Sequence, residues 1–325
     1  MRCPGERGVC QTSVMPDAPR PVLLLDSASL YYRAFHSQPE SLTAPDGRPN
    51  NALRGFLPTI TRLVADHRPV DVVPCWDNDW RPQWRVDLIS TYKAHRVADS
   101  EEGRAAGAEA EPESLGEQAR AIFALLAAAG IGARGVDGYE ADDVIASVAA
   151  QEDRPVVVVS GDRDLVQVVD ARVSLLLTVK GGMDKWPLLD PDSVAERFGV
   201  SPAQYVDLAV LRGDPSDGLP GVAGIGAKTA TALVTAFGGL DEVLAVAEAT
   251  PARKPMTPRL AGSLLADPDA VLRARTVALA VTDLNVSAQR PAADPDAFAR
   301  MAEEWGVQRQ AEALMAALSA QTADE

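Results

Sequence analysis

Three short apolar runs each end at a carboxylate, and that recurrence restricts the folds open to this chain more than any other feature. Residues 21–25 (PVLLL) run into Asp26, residues 70–75 are followed by Trp76 and Asp77, and residues 155–160 (PVVVVS) by Gly161 and Asp162. Runs this short and this rich in Val and Leu read as strands buried on both faces. Between them the apolar residues of 51–66 and 115–129 recur at helical spacing, and Ser27 or Ser29 caps a further helix in SASLYYRAFHS. Strands alternating with helices predict an α/β fold, with a mostly parallel central sheet flanked by helices. Ligands of such sheets bind at the carboxyl ends of the strands. The acids are therefore aimed at one edge.

After Asp190 the texture changes to short helices, over 193–198, 202–211, 227–237 and 240–249, with further helices to the end and no clear strand. The expected division is an α/β core over 21–190 and an all-helical subdomain over 191–325 that carries a hairpin at 213–237. Pro-rich loops at 251–258 and 290–295 punctuate the helical half. Residues 1–20 carry Pro, Gly and Arg without periodicity and are expected to be a disordered extension, with Met15 an alternative start. Residues 97–116 are small, acidic and Gly-rich, a mobile part of a segment spanning about 80–116.

The most apolar stretch, 121–133, lies between Arg120 and Arg134 and falls short of the ~20 residues a membrane span needs, so no membrane role is expected. Cys3, Cys10 and Cys75 form neither a disulfide framework nor a zinc spacing, which fits a reducing, cytoplasmic setting. Lys plus Arg at 31 against Asp plus Glu at 46 gives a net charge of -15. Bulk charge argues against non-specific nucleic-acid binding, so any such role requires a local basic surface.

Carboxylates then accumulate. GYEADDVIASVA opens an amphipathic helix with Glu140, Asp142 and Asp143; SGDRDL supplies Asp162 and Asp164; RGDPSDGLPG supplies Asp214 and Asp217. Taken singly, such acids are helix caps and turn residues. Together, beside buried Val and Ile, they repel unless a cation neutralises them. Hard oxygen donors without His or Cys suit Mg²⁺ or Mn²⁺. Two such ions can activate water and stabilise both attacking and leaving oxygens of a phosphoryl displacement.

The stretch after Asp77 interleaves Arg81, Arg85, Lys93, His95 and Arg96 with Trp80, Trp84 and Tyr92. Cations for phosphates beside aromatics for bases suit single-stranded nucleic acid, although an ordinary basic surface helix has the same composition. GLPGVAGIGAKTA places Gly221, Gly224 and Gly226 before Lys228 and Thr229, and misses both the P-loop and the dinucleotide fingerprint. Glycines joining two helices free backbone N–H groups to meet a phosphate, a helix-hairpin-helix device that grips DNA without reading sequence. A tight turn with no ligand is the alternative.

In order along the chain, LLLDSASLYYRAFH, CWDNDWRPQWR, YKAHR, GYEADDVIAS, SGDRDLVQVV and LAVLRGDPSDGLPGVAGIGAKTA resemble the bacterial 5′-3′ exonuclease and flap endonuclease family, similar to the N-terminal nuclease domain of DNA polymerase I. The resemblance implies a PIN-like nuclease core with a helical arch. It implies a first metal near Asp26, Asp77, Glu140, Asp142, Asp143 and Asp162, and a second near Asp164, Asp214 and Asp217. Arg33 would contact substrate phosphate, and Tyr92, Lys93 and Arg96 at the arch base would act on the scissile phosphate. Arg81 and Arg85 would join the DNA contacts, and backbone carbonyls from Gly221 to Gly226 would hold K⁺. Ser27 stands where the family commonly has Gly, which would alter the approach to DNA.

The implied function is a free-standing, monomeric, metal-dependent 5′-3′ exonuclease or flap endonuclease. Its substrates would be DNA 5′ flaps, nicks and 5′ ends, RNA-primed ones included, at the nucleoid and in sequence with a DNA polymerase and ligase. Two other classes remain open: a catalytically silent DNA-structure-binding protein, and a single-strand ribonuclease on a related core.

Overall fold

The computed structural model describes residues 19–97, 112–287 and 290–322. Nearly all of the extension expected over 1–20 and most of the mobile segment expected over 97–116 lie outside these residues. The chain opens with β1 (Val22–Asp26), α1 (Ser27–Ser37), α2 (Asn51–His67), β2 (Asp71–Cys75) and the short α3 (Gln83–Leu88). It continues through α4 (Glu113–Ala128), α5 (Ala141–Gln151), β3 (Val156–Ser160), β4 (Val173–Leu177) and β5 (Leu188–Leu189). The sheet order is β2-β1-β3-β4-β5, parallel except for β5. The strands β4 and β5, absent from the sequence reading, extend the sheet on the far side of β3.

The period of two along each strand divides the core. Leu23, Leu25, Val157 and Val159 face one layer with Phe56, Leu57 and Ile60 of α2 and Leu125 of α4. Val22, Leu24, Val156 and Val158 face the other, with Val144 and Ile145 of α5. Covered on both sides, the strands need no polar face, which is why they read as unbroken apolar runs.

The helical half follows as α6 (Pro191–Phe198), α7 (Tyr205–Arg212), α8 (Ala227–Phe237), α9 (Leu240–Ala249), α10 (Pro258–Leu264), α11 (Pro268–Ala278), α12 (Pro295–Glu304) and α13 (Gln308–Thr322). Leu208, Leu211 and Leu233 of α7 and α8 share the core of α5, so the hairpin is fastened to the acid-bearing face. The helical subdomain expected as one block over 191–325 is interrupted. Phe298, Trp305 and Leu314 of the terminal segment join the α2 layer instead. Asn50 donates to Trp305 O at 2.7 Å and Arg54 to Gly306 O at 3.0 Å, and the Arg48 guanidinium lies 4.3 Å from the Trp305 ring centre. The terminal helices are the further ones expected to the end of the chain, for which the sequence names no packing partner. Among the described residues no single helix is long and apolar enough to cross a membrane.

Candidate active site

Parallel register fixes the acid edge. Asp26 stands opposite Cys75, and Leu25 opposite Val159, so Asp26, Asp77 and Asp162 leave the sheet on the same side. Asp26 ends β1 and caps α1, accepting from Ser29 N at 3.0 Å while its other oxygen accepts from the Ser160 hydroxyl. The same hydroxyl oxygen accepts from Asp162 N at 2.9 Å. Ser160 thus ties two strand-end acids together. Sequence reasoning missed it, although a polar residue closing a strand of valines was the available signal. Burial pushes the Asp26 carboxyl up to about 7; Asp77 and Asp162 add repulsion, and the Ser160 and Ser29 hydrogen bonds oppose the rise.

The first turn of α5 faces this edge. Asp77 accepts from Ala141 N at 2.8 Å, and burial raises its carboxyl. Asp142 is held well above the ordinary carboxylate range by burial and by repulsion from Asp162, Asp26 and Glu140. Asp164 is raised likewise, by burial and then by Asp162, Asp217 and Asp214. For Asp217 burial again comes first, with Lys93 and Arg96 offsetting the nearby acids. Glu140, Asp142, Asp164 and Asp217 help to wall one small cavity of ≈ 10 Å³.

Among the described residues no three Asp, Glu, His or Cys side chains meet closely enough to hold one ion as they stand. The chemistry of the donor set nevertheless fits hard divalent cations: these are oxygen ligands only, partly desolvated, and each raises its neighbours' proton affinity. Positive charge placed among them removes the repulsion that now lifts Asp26, Asp142 and Asp164.

Asp143, expected among the first metal's acids, is the exception in that a cation of the chain already holds it. It is fully buried, forms two bonds with Arg85 and accepts from Val281 N at 2.9 Å. Arg85 is turned inward as well, donating to Val277 O and Leu279 O at the end of α11, so it offers nothing to DNA. Tyr92, expected at the scissile phosphate, is buried and donates to Glu140 at 2.8 Å. Lys93 is also mostly buried and pairs with Glu140 at 2.7 Å, which places its ammonium inside the acid edge. Burial keeps the Tyr92 ring from stacking on a base, while the half-buried Trp84 has Arg85 over its ring and donates to the Gly138 carbonyl. Trp80 stays exposed.

Arg96 remains at the surface, 3.2 Å from Asp217. Arg81 braces the loop that carries Tyr92 and Lys93, donating to Tyr92 O at 2.6 Å and Ser90 O at 3.1 Å. Arg33 lies half-buried over the Trp186 ring. Asp214 is bracketed by Ser216 N at 2.9 Å and Arg212 at 3.5 Å. Ser27, expected to alter the approach to DNA, is the fully buried first residue of α1.

The hairpin glycines have different reasons. A Cβ on Gly221 would meet Gly213 N at 2.5 Å, so that glycine lets two backbone segments pass, a reason separate from the DNA contact expected of it. Gly224 and Gly226 would meet nothing within 4 Å, and with the exposed Lys228 they face open space at the start of α8, Thr229 being half-buried behind them.

Two family models match in succession: the 5′-3′ exonuclease N-terminal resolvase-like domain over residues 21–199, and the 5′-3′ exonuclease C-terminal SAM fold over 200–298. The chain belongs to the 5′-3′ exonuclease family. A 5′-3′ exonuclease of Streptomyces coelicolor is 47% identical over 306 residues, 92% of this chain and 100% of that one. A Mycobacterium tuberculosis 5′-3′ exonuclease is 44% identical, covering 92% and 98% respectively. DNA polymerase I of Pseudomonas aeruginosa is 37% identical over 69% of this chain, but only 23% of the polymerase is matched. Among solved structures, T5 5′-exonuclease with bound zinc ions superposes with a TM-score of 0.61 at 19% identity, covering 93% of this chain and 100% of that one. Flap endonuclease-1 from Methanococcus jannaschii does so with 0.58 at 17%, covering 93% and 94%. Those two likenesses establish the PIN-like nuclease fold. The match boundary at 199–200 lies close to the change of texture near residue 190.

Proposed function

We propose that this member of the 5′-3′ exonuclease family is a metal-dependent, structure-selective nuclease that hydrolyses phosphodiester bonds at 5′ ends and 5′ flaps of DNA. The observation that carries the reading is the gathering of Asp26, Asp142, Asp162, Asp164 and Asp217 at one sheet edge, where burial and mutual repulsion raise most of these carboxyls. A protein that only bound DNA would weaken its grip by setting such acids beside phosphates.

Asp26, Asp77, Glu140, Asp142 and Asp162 would hold one Mg²⁺ or Mn²⁺ ion, and Asp164, Asp214 and Asp217 a second. Bound there, divalent ions supply an activated water and charge stabilisation for in-line displacement. The protein's own share is positioning. Ser160 fixes Asp26, and the Ala141 amide fixes Asp77. Tyr92, Lys93 and Arg85 surround Glu140 and keep it partly neutralised. Arg96, exposed beside Asp217, is the cation best placed to meet an incoming phosphate. Gly224, Gly226 and Lys228 would hold the duplex backbone, and carbonyls of the same turn would take a potassium ion. A monomer suffices for all these contacts, and a ligatable nick would pass to polymerase and ligase.

Labelled flap, nicked, single-stranded and RNA-primed substrates, each with and without Mg²⁺ or Mn²⁺, test the proposal. Cleavage near the branch that requires metal is the expected result. Binding without cleavage under every metal condition would instead mark a silent DNA-binding protein, and preferential cutting of single-stranded RNA a ribonuclease.

A further inference from the structure

The Pro-rich loop between α9 and α10 has no part in the chemistry above, yet its charge is unlike that of the rest of the chain. No acid occurs between Glu248 and Asp267, whereas Arg253, Lys254 and Arg259 fall inside that interval of a protein whose net charge is -15. All three are exposed, and none has an ion-pair partner among the described residues. Two acids that flank the interval are taken by other arginines: Asp241 by Arg275 at 2.9 Å, and Asp267 by Arg273 at 3.8 Å.

The loop itself is anchored. Met256 is buried at its centre, Arg253 N donates to Thr250 O at 3.0 Å, and Thr257 caps α10 by accepting from Leu260 N. The Arg253 guanidinium lies 5.3 Å from the ring centre of Phe237, the last residue of α8. Arg253, with Lys254 next to it and Arg259 in the first turn of α10, therefore stands at one end of the helix whose other end is the exposed hairpin turn with Gly224, Gly226 and Lys228. The helix between them carries no acid of its own, none occurring from Gly218 to Leu240, and the nearest acids of other elements, Asp207 and Glu242, lie beside Gly239. At 1.5 Å per residue the 11 residues of α8 separate the two points by about 16 Å, on the order of five steps of one DNA strand.

We infer that Arg253, Lys254 and Arg259 form a second grip on the phosphate backbone of duplex DNA, about one helix length from the hairpin. The inference rests on the nuclease reading and gives it a duplex-length requirement. Unpaired cations on a fixed loop neutralise phosphates at little ordering cost, and each contact adds to the salt dependence of binding without reading sequence. An acidic protein surface is the competing partner, but the acid-free helix that runs from these cations to the hairpin favours one extended polyanion over a compact one.

The test is equilibrium binding of a nicked duplex in EDTA across a salt series, comparing the unaltered chain with K254Q/R259Q and with R253Q/K254Q/R259Q. Each phosphate contact contributes about 0.9 to the slope of log affinity against log salt, so the slope should fall by about 1.8 and about 2.7 respectively. The double variant keeps the Arg253–Phe237 stack, which separates charge loss from loosening of the loop. With Mg²⁺, single-turnover cleavage at saturating DNA should be unchanged, and the affinity loss should vanish once the duplex arm is too short to pass the hairpin by about 16 Å. An unchanged slope, or an equal loss on short duplex and single strand, overturns the second grip while leaving the nuclease reading standing. Failure of the unaltered chain to bind branched DNA would overturn both.

Discussion

Arg85 and Asp143 form a buried two-bond ion pair, with Nη1–Oδ2 at 2.8 Å and Nη2–Oδ1 at 2.7 Å. It joins α3 to the first turn of the acid-bearing α5, while Arg85 also reaches carbonyls at the end of α11. Removing one partner leaves the other charge buried and uncompensated, which costs about 3–5 kcal/mol. Arg85→Met should therefore unfold at much lower urea, and R85M/D143L should recover a large part of the loss. Asp143→Asn should lower stability without changing the metal concentration needed for half-maximal cleavage. A shift in that concentration as large as that of Asp142→Asn would return Asp143 to the ligands.

Asp142→Asn and Asp162→Asn should each reduce cleavage by several orders of magnitude and leave DNA affinity nearly intact. Asp142→Asn has a second expected effect. Its carboxyl is raised by burial and by three neighbouring acids, so its ionised form costs stability at neutral pH, and the Asn variant should melt higher than the unaltered chain in EDTA. Normal turnover by both variants in Mg²⁺ would exclude the proposed ions.

Arg96→Ala tests the cation at the surface. Its side chain is largely exposed, so stability should hardly change, while the single-turnover rate at saturating DNA should fall more than affinity does. Lys93→Ala should lower both rate and stability, because its ammonium neutralises Glu140 inside the edge. Equal losses in affinity and overall efficiency for Arg96→Ala would reduce that residue to a tether.

Gly226→Val is the cleanest probe of the hairpin. Its φ of -94° is open to any residue and its Cβ meets nothing, so the fold should survive while duplex-containing substrates lose affinity and a short single strand is cut as before. Gly221→Ala should fail differently, in thermal melting, because its φ is +69° and its Cβ would strike the backbone at Gly213. Similar losses on both substrate types for Gly226→Val would make the turn a folding element only.

The strand ends were legible because burial on both faces leaves an unbroken apolar run, and the first polar residue after it has to stand at the edge. Asp142 and Asp143 show where such reading stops. Adjacent helical residues point ~100° apart, and here Asp142 takes the edge while Asp143 turns to Arg85. Arg85 was misread because charge in a sequence looks solvent-facing, and only the three-dimensional arrival of Asp143, Val277 and Leu279 makes its burial affordable. The return of α12 and α13 to α2 was hidden for a related reason: an apolar stripe specifies burial but not the surface that covers it.

That return has a mechanical consequence. The chain leaves the nuclease body at Asp190 and rejoins it at Pro295, where the final helices are latched through Trp305 to Asn50. A domain held by one linker swivels, whereas one held at both exits is confined like a handle fixed at two ends. The spacing from hairpin to acid edge is then fixed like a ruler, and in the proposed reaction the protein, not the arriving nucleotide, would measure the place of the cut from the duplex.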